Sequence, residues 1–426
     1  MYPSIFNDVI GPVMRGPSSS HCAAALRIGH LARDLVDGTI EEVTVQFDRH
    51  GSLATTHESQ GSDMGLFAGL LDWEATDERL PRSAATIRAN GVKVEITIGD
   101  FGFVHPNTYR IALRNARQQH VLTALPVLSR KGTSVPFCTC EEILRWDDGR
   151  NLPPWELAVQ YESQRGNISS DEVLARMVRI VQILRAAIDQ GIRGTVYEDR
   201  ILDHQCGRFQ ARMQTGGLLD AGLLNHIVLN VTALMEVKSA MGVIVAAPTA
   251  GSCAALPGTC LAAADILGLT DEDAAKAMLA AGLIGALVAL KTAFAAEVCG
   301  CQAECGVASG MTAAALISLA RAGIRQAVDA ASMAFQSSLG MICDPVANRV
   351  EVPCLGKNVM AASNALACAN MALAGYDPVV PLDEVIETMD RVGRSLPREL
   401  RCTALGGLSV TKTSREIESR LRGKHS

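Results

Sequence analysis

Apolar residues recur along this chain with two different periods, and the change from one to the other divides it. Between residues 41 and 113 the period is two. Val43, Val45 and Phe47 alternate with polar neighbours, as do Val94, Ile96 and Ile98, which predicts strands over residues 41–47 and 93–99. Residues 109–113 predict a third strand, entered through the turn His105-Pro106-Asn107-Thr108. Helical spacing surrounds these runs. Leu26, Ile28, Leu31 and Leu35 mark a helix over residues 22–36 with Gly38 as its stop, and Ser62-Asp63 caps a short helix reaching Leu71. From Ser170 onward the pattern is helical almost to the end, with helices expected at 172–190, 223–241, 254–267, 271–290, 312–322 and 382–393.

Between these regions, residues 126–160 carry Pro126, Gly132, Pro136, Gly149, Pro153 and Pro154 and few periodic runs, apart from a short helix at 141–146. The expectation is an α+β protein. A mixed α/β domain over 1–125 leads through a connection at 126–160 to a mainly α-helical domain over 161–426. A length of 426 residues is enough for two domains with substantial cores.

Composition narrows the picture. Hydrophobic residues make up 48% of the chain but aromatic ones only 4%, which favours close-packed small-residue helices over a β sandwich. A net charge of −6 without a basic run excludes a nucleic-acid partner by expectation. The apolar run 277–290 is bracketed by Lys276 and Lys291; as a fourteen-residue run it reads as a buried core helix, so no membrane partner is expected. The first residues show neither a basic region nor an apolar stretch, so no secretory signal is expected, and the compartment is read as cytoplasmic. Thirteen cysteines, an odd number, then favour reduced thiols and metal chemistry over disulfides.

The cysteines concentrate the chemistry. Cys301 follows Gly300, Cys343 precedes Asp344-Pro345, and Cys354 follows Pro353. Proline beside a residue breaks helix and favours extended or turn backbone, so these loops can aim thiolates at one point. Three thiolates would leave one metal position open, as a Lewis-acid catalyst needs. The alternative is that these cysteines are small core residues, since no Cys-x-x-Cys pair is present. A second constellation, Gly16-Pro17-Ser18-Ser19-Ser20-His21, packs hydroxyls and an imidazole onto a helix start. It reads either as an ordinary cap or as a carboxylate site. Thr249, Gly251 and Ser252 form a Gly/Ser loop before another helix, without the lysine of a phosphate loop.

Gly300-Cys301-Gln302-Ala303-Glu304, Cys343-Asp344-Pro345-Val346 and Val352-Pro353-Cys354 resemble the cluster-binding motifs of the iron–sulfur-dependent L-serine dehydratases. The spacing of the three cysteines resembles that family's too, and the likeness covers nearly the whole chain. Ser18-Ser19-Ser20-His21, His105-Pro106-Asn107-Thr108, Ala247-Pro248-Thr249-Ala250-Gly251 and Gly406-Gly407-Leu408-Ser409 look like further family segments. The resemblance implies a single-chain lyase in which Cys301, Cys343 and Cys354 hold a [4Fe–4S] cluster. It implies conversion of L-serine to pyruvate and ammonia, and with it a homodimer is expected. Ser19, Asp63, Asn107, Thr249, Gly251 and Ser252 are then the substrate-binding candidates. His21, Ser20 and His105 are the catalytic ones, with His21 the first choice of base because imidazole titrates near working pH.

Three places depart from the family pattern. Cys22 stands where threonine is usual, Gln60 where the family carries histidine, and residues 127–132 replace a run of glycines. These departures keep another β-substituted amino acid (threonine, cysteine or a modified hydroxy amino acid) as the alternative substrate. Two other rivals have less in their favour. A pyridoxal-phosphate lyase would need a Schiff-base lysine, for which Lys291 is the nearest candidate, but no phosphate loop accompanies it. A non-enzymatic cluster sensor would need a saturated cluster or a partner surface.

Overall fold

The computed structural model describes residues 2–124, 135–198 and 200–422, with Ser20 and Arg422 described by their backbone alone. The altered glycine run at 127–132 therefore lies outside the described residues. The fold is α+β, as expected. A four-stranded mixed sheet runs in the order β3-β2-β4-β5, formed by β2 (Glu42–Asp48), β3 (Lys93–Gly99), β4 (Tyr109–Arg114) and β5 (Gln119–Ala124). Strands β2 and β3 are parallel, and the other pairs are antiparallel. Alternation puts Val43, Val45, Phe47, Tyr109, Ile111 and Leu113 on one buried face, against Ile28, Leu66 and Phe67 of helices Ala24–Arg33 and Ser62–Leu70. The register follows from that face, because a one-residue slip would turn it to solvent.

The helical region is built around Cys305–Leu319. It packs against Ala255–Ile266, Asp271–Lys291, Ile324–Gln336 and Cys354–Leu373. Its sequence start was expected at residue 312, but the helix begins at Cys305. Residues 305–316 are buried on every side, so no apolar stripe marks where the helix begins. Helix Asp271–Lys291 is also longer than its apolar run, because the Thr270–Asp273 capping box adds a polar first turn. It is long and apolar enough to cross a membrane, and 83% of its apolar window is buried inside the protein. The stretch expected to connect the domains contains helix Pro154–Gly166, where proline occupies the first turn and starts a helix rather than breaking one.

Residues 2–15 join the helical region. Ile5, Phe6, Val9, Ile10 and Met14 belong to its core, and β1 (Val13–Arg15) pairs antiparallel with β6 (Val243–Val245). Gly282 and Gly285 make room for this segment, since a Cβ there would lie 2.4 Å from Ile5 and 2.2 Å from Val9. The buried Glu162 carboxylate holds it in place. It accepts from Ser4 Oγ (2.7 Å) and from the Ile5 N–H (2.8 Å), and pairs with Arg165 at 2.6 Å. Glu162→Ala is expected to cost about 1–3 kcal/mol, because it leaves the buried Ile5 N–H without its acceptor and removes the carboxylate beside part-buried Arg165. Urea denaturation of the two proteins measures the loss.

Candidate active site

The three expected cysteines reach the site from three segments. Cys301 lies in the turn Cys301–Ala303 before the central helix. Cys343 sits in an extended stretch bridged to residues 400–402, donating its N–H to the Leu400 carbonyl (2.9 Å) and accepting from the Cys402 N–H (3.2 Å). Cys354 opens helix Cys354–Leu373. Gln302 ties the first two segments together. Its backbone N–H donates to the Met341 carbonyl (3.1 Å), and its side-chain oxygen accepts from the Gly340 N–H (2.9 Å). Asn358 ties in the third, accepting from the Ala254 and Ala255 N–H groups while donating to the Gly251 and Cys354 carbonyls.

Donor atoms of Cys301, Glu304 and Cys343 lie within 4.8 Å of one another. Cys354 stands outside that trio, but close enough that its thiol and that of Cys301 interact electrostatically. All three cysteines are buried. Hydrogen bonding to the Cys301 and Cys402 thiols, then burial, pushes the Cys343 thiol up; burial pushes that of Cys354 up to about 12. Thiols this reluctant to ionise become thiolates when a metal cation replaces their protons. A soft, sulfur-rich donor set of this kind suits zinc or an iron–sulfur cluster. Cys299 is turned elsewhere, its sulfur 3.8 Å from Asp390, and Cys305 packs beside Asn358.

The Gly/Ser loop faces the same point. Thr249 Oγ1 donates to Glu304 Oε1 at 2.7 Å, and a Cβ on Gly251 would lie 2.9 Å from both Glu304 oxygens. Ser252 closes a capping box on Thr249, and Ser19 Oγ accepts from the Ala250 N–H across the two regions (3.2 Å). Burial, then the neighbouring Glu297 carboxylate, raises the Glu304 carboxyl to about 7. The Gly406–Ser409 turn sits over Asp344, whose Oδ2 accepts from the Leu408 N–H at 3.0 Å. Gly407 has φ +57, and a Cβ there would come within 2.6 Å of Asp344.

The N-terminal wall divides. His21 is fully buried in the turn Ser19–Ala23, with Nδ1 facing Ser18 Oγ (3.0 Å) and Glu297 (3.2 Å), and Nε2 facing Thr56 Oγ1 (3.0 Å). Thr56 donates to the Ser52 carbonyl, so its oxygen accepts from His21. Nδ1 faces the Glu297 carboxylate, an acceptor that favours a proton on that nitrogen, so the pair can hold a proton the ring takes up. Burial lowers the His21 pKa, against the pull of Glu297. His105 is half-buried, its Nδ1 accepting from the Asn107 N–H (3.1 Å), so its Nε2–H is a donor. Asn107 is fully buried, and neither its amide nitrogen nor its oxygen has a partner among the described residues. Asp63, in contrast, is taken up by His57, whose Nδ1 lies 2.9 Å from both carboxylate oxygens. Gln60 donates to Cys402 Sγ at 3.3 Å.

Sequence reasoning missed Glu297, Glu304, Lys357, Thr56 and Cys402. Glu304 was within a quoted motif, and Lys357 follows Cys354 by three residues, one helical turn. Cys402 just precedes the Gly406-Gly407 segment. Glu297 and Thr56 carry no local signal. Lys291, the candidate for a Schiff base, is bound to Glu387 at 2.6 Å.

Comparison with known proteins bears on the same region. Residues 149–409 match the family described as serine dehydratase alpha chain. The probable L-serine dehydratase alpha chain of Bacillus subtilis is 36% identical over 67% of this chain and 96% of its own length. The L-serine dehydratase alpha chain of Peptoniphilus asaccharolyticus is 32% identical over 66% and 96%. L-serine dehydratase 1 of Escherichia coli is 29% identical and aligns along 93% of this chain and 96% of its own length, so the likeness includes the sheet region. The chain belongs to the iron–sulfur-dependent L-serine dehydratase family, in the single-chain form that joins an α/β region to the helical region.

Proposed function

We propose that this protein is a [4Fe–4S]-dependent L-serine dehydratase that releases pyruvate and ammonia. The observation that carries the reading is the convergence of buried thiols from the helical region with the His21–Glu297 pair, whose imidazole comes from the N-terminal region. Cys301, Cys343 and Cys354 are the residues that would hold the cluster. When bound, the cluster supplies Lewis acidity to the departing β-hydroxyl, otherwise a poor leaving group.

This chain's own residues account for the rest. Asn107 and His105 offer donors suited to the substrate carboxylate, and Ser19, Thr249, Gly251 and Ser252 shape the opposite side. His21 takes the α-proton, and the Glu297 carboxylate beside its Nδ1 stabilises the imidazolium that forms. With the proton gone from Cα and hydroxide gone from Cβ, aminoacrylate leaves, tautomerises and hydrolyses to pyruvate and ammonia. Asp63 acts through His57 rather than directly, and Ser20 stays a catalytic candidate on its place in the Ser-Ser-His segment.

The test is ammonia release from a panel of β-substituted amino acids after anaerobic reconstitution with ferrous iron and sulfide. L-Serine is expected to be turned over fastest, with activity and iron lost together in air. Turnover of L-threonine or L-cysteine with none of L-serine would refute the substrate assignment, and full activity without iron would refute the cofactor.

A further inference from the structure

All three cysteine-bearing segments meet at one ammonium group. Lys357 lies in the first turn of helix Cys354–Leu373. Its Nζ donates to Cys301 Sγ at 3.8 Å, to the Ile342 carbonyl at 2.7 Å and to Asp344 Oδ1 at 2.8 Å. Ile342 and Asp344 flank Cys343. An ammonium has three donors and no acceptor, so every N–H is engaged, and each reaches a different target. The side chains of Lys357 and Asp344 are 15% and 6% exposed, and Asp344 in turn holds the Gly406–Ser409 turn through Leu408. Withdrawing such a pair from water is costly, and well-packed apolar residues would often serve stability as well. Its position against the sulfur points to a role at the metal.

We propose that Lys357 is the positioning residue of the metal centre. It fixes the spacing of the three cysteines and, through its bond to the Cys301 sulfur, tunes the affinity and reduction potential of what they bind. This rests on reading the cysteines as a [4Fe–4S] site. Hydrogen bonds to the sulfurs and local charge set the potentials of such clusters. A cation beside a thiolate stabilises the reduced, more negative state, so removing it moves the potential downward. Loss of an outer partner of a metal ligand typically weakens metal binding by about 10–100-fold.

The experiment compares full-length wild type, Lys357→Met and Lys357→Arg. Each is titrated anaerobically with cobalt(II), followed by thiolate-to-cobalt absorbance. Each is then reconstituted with iron and sulfide for a redox titration followed by electron paramagnetic resonance. Lys357→Met is expected to bind cobalt about 10–100-fold more weakly and to show a more negative midpoint potential. Lys357→Arg keeps the charge but not the three-point geometry, so its cobalt affinity falls while its potential stays nearer wild type. Wild-type affinity and potential in Lys357→Met would overturn the proposal. If that variant does not fold, wild-type cobalt affinity in Lys357→Arg does so. Wild type that takes up cobalt but no cluster refutes the [4Fe–4S] reading alone, and the cobalt affinities still judge Lys357.

Discussion

Cys343→Ser is expected to strip the protein of its iron and of its turnover together. The residue is 5% exposed and sits in a stretch pinned on both backbone sides to residues 400–402, so the chain around it will not shift to offer another donor. Serine keeps the size but replaces a soft sulfur with a hard hydroxyl that stays protonated at neutral pH. Cys301→Ser and Cys354→Ser should behave alike. Cys253 and Cys368 are the controls, since both are buried but neither lies in the segments 300–304, 343–346 and 352–354 that resemble the cluster-binding motifs. Their serine variants should keep iron and sulfide at wild-type content. The measurement is iron and sulfide per chain with the visible spectrum, beside turnover. A fully loaded cluster in Cys343→Ser would remove that residue from the ligand set.

His21→Ala should keep the cluster and lose about 10²–10⁴-fold in turnover, the usual contribution of a positioned acid or base. Glu297→Gln should lose less, since it leaves the imidazole in place but removes the charge that favours its protonated form. The pH dependence has a definite sign. Burial lowers the His21 pKa below its ordinary 6.5, so the ring stays neutral, and able to accept a proton, further into acid than a free imidazole. Turnover should therefore hold down to pH 6.5 and fall only below it. Stability follows the same direction. The unfolded chain binds this proton first, so the contribution of neutral His21 is complete above pH 6.5 and is lost as pH falls through the lowered value. If His21 served only as a cap, melting temperature would drop while turnover per cluster stayed unchanged. His105 would then be the next base to test, although the hydrogen bond into its Nδ1 favours a donor role.

The parts of this fold that could be read from sequence are those with a period. Strand β3 begins and ends where alternation predicts, and helix Ser170–Arg193 extends its predicted core by only a few residues, as capping by Ser169 would suggest. Elements without a stripe were harder. Helix Cys305–Leu319 is buried all round, and helix Pro154–Gly166 was hidden by the prolines that begin it. The same holds at the site. Residues in contiguous motifs, such as Cys301 and Ser19, announce themselves, whereas Glu297 reaches His21 only through the packing of two distant regions. Lys357 drew no notice in the sequence, and only the fold brings its three acceptors together.

The pairing of β1 with β6 sets a schedule for synthesis. Val13 meets Val245, so the first strand emerges from the ribosome more than two hundred residues before its partner exists. At about 5–20 residues per second, that gap is on the order of 10–50 s. Throughout it, Ile5 and Val9 lack helix Asp271–Lys291, against whose Gly282 and Gly285 they pack, because it has not yet been made. The sheet region can close in the meantime, its strands all lying within the first 124 residues. A growing chain can therefore carry a folded sheet region preceded by an unburied apolar segment, which is the kind of segment a chaperone holds. Residues 5–14 are made early and are among the last to settle.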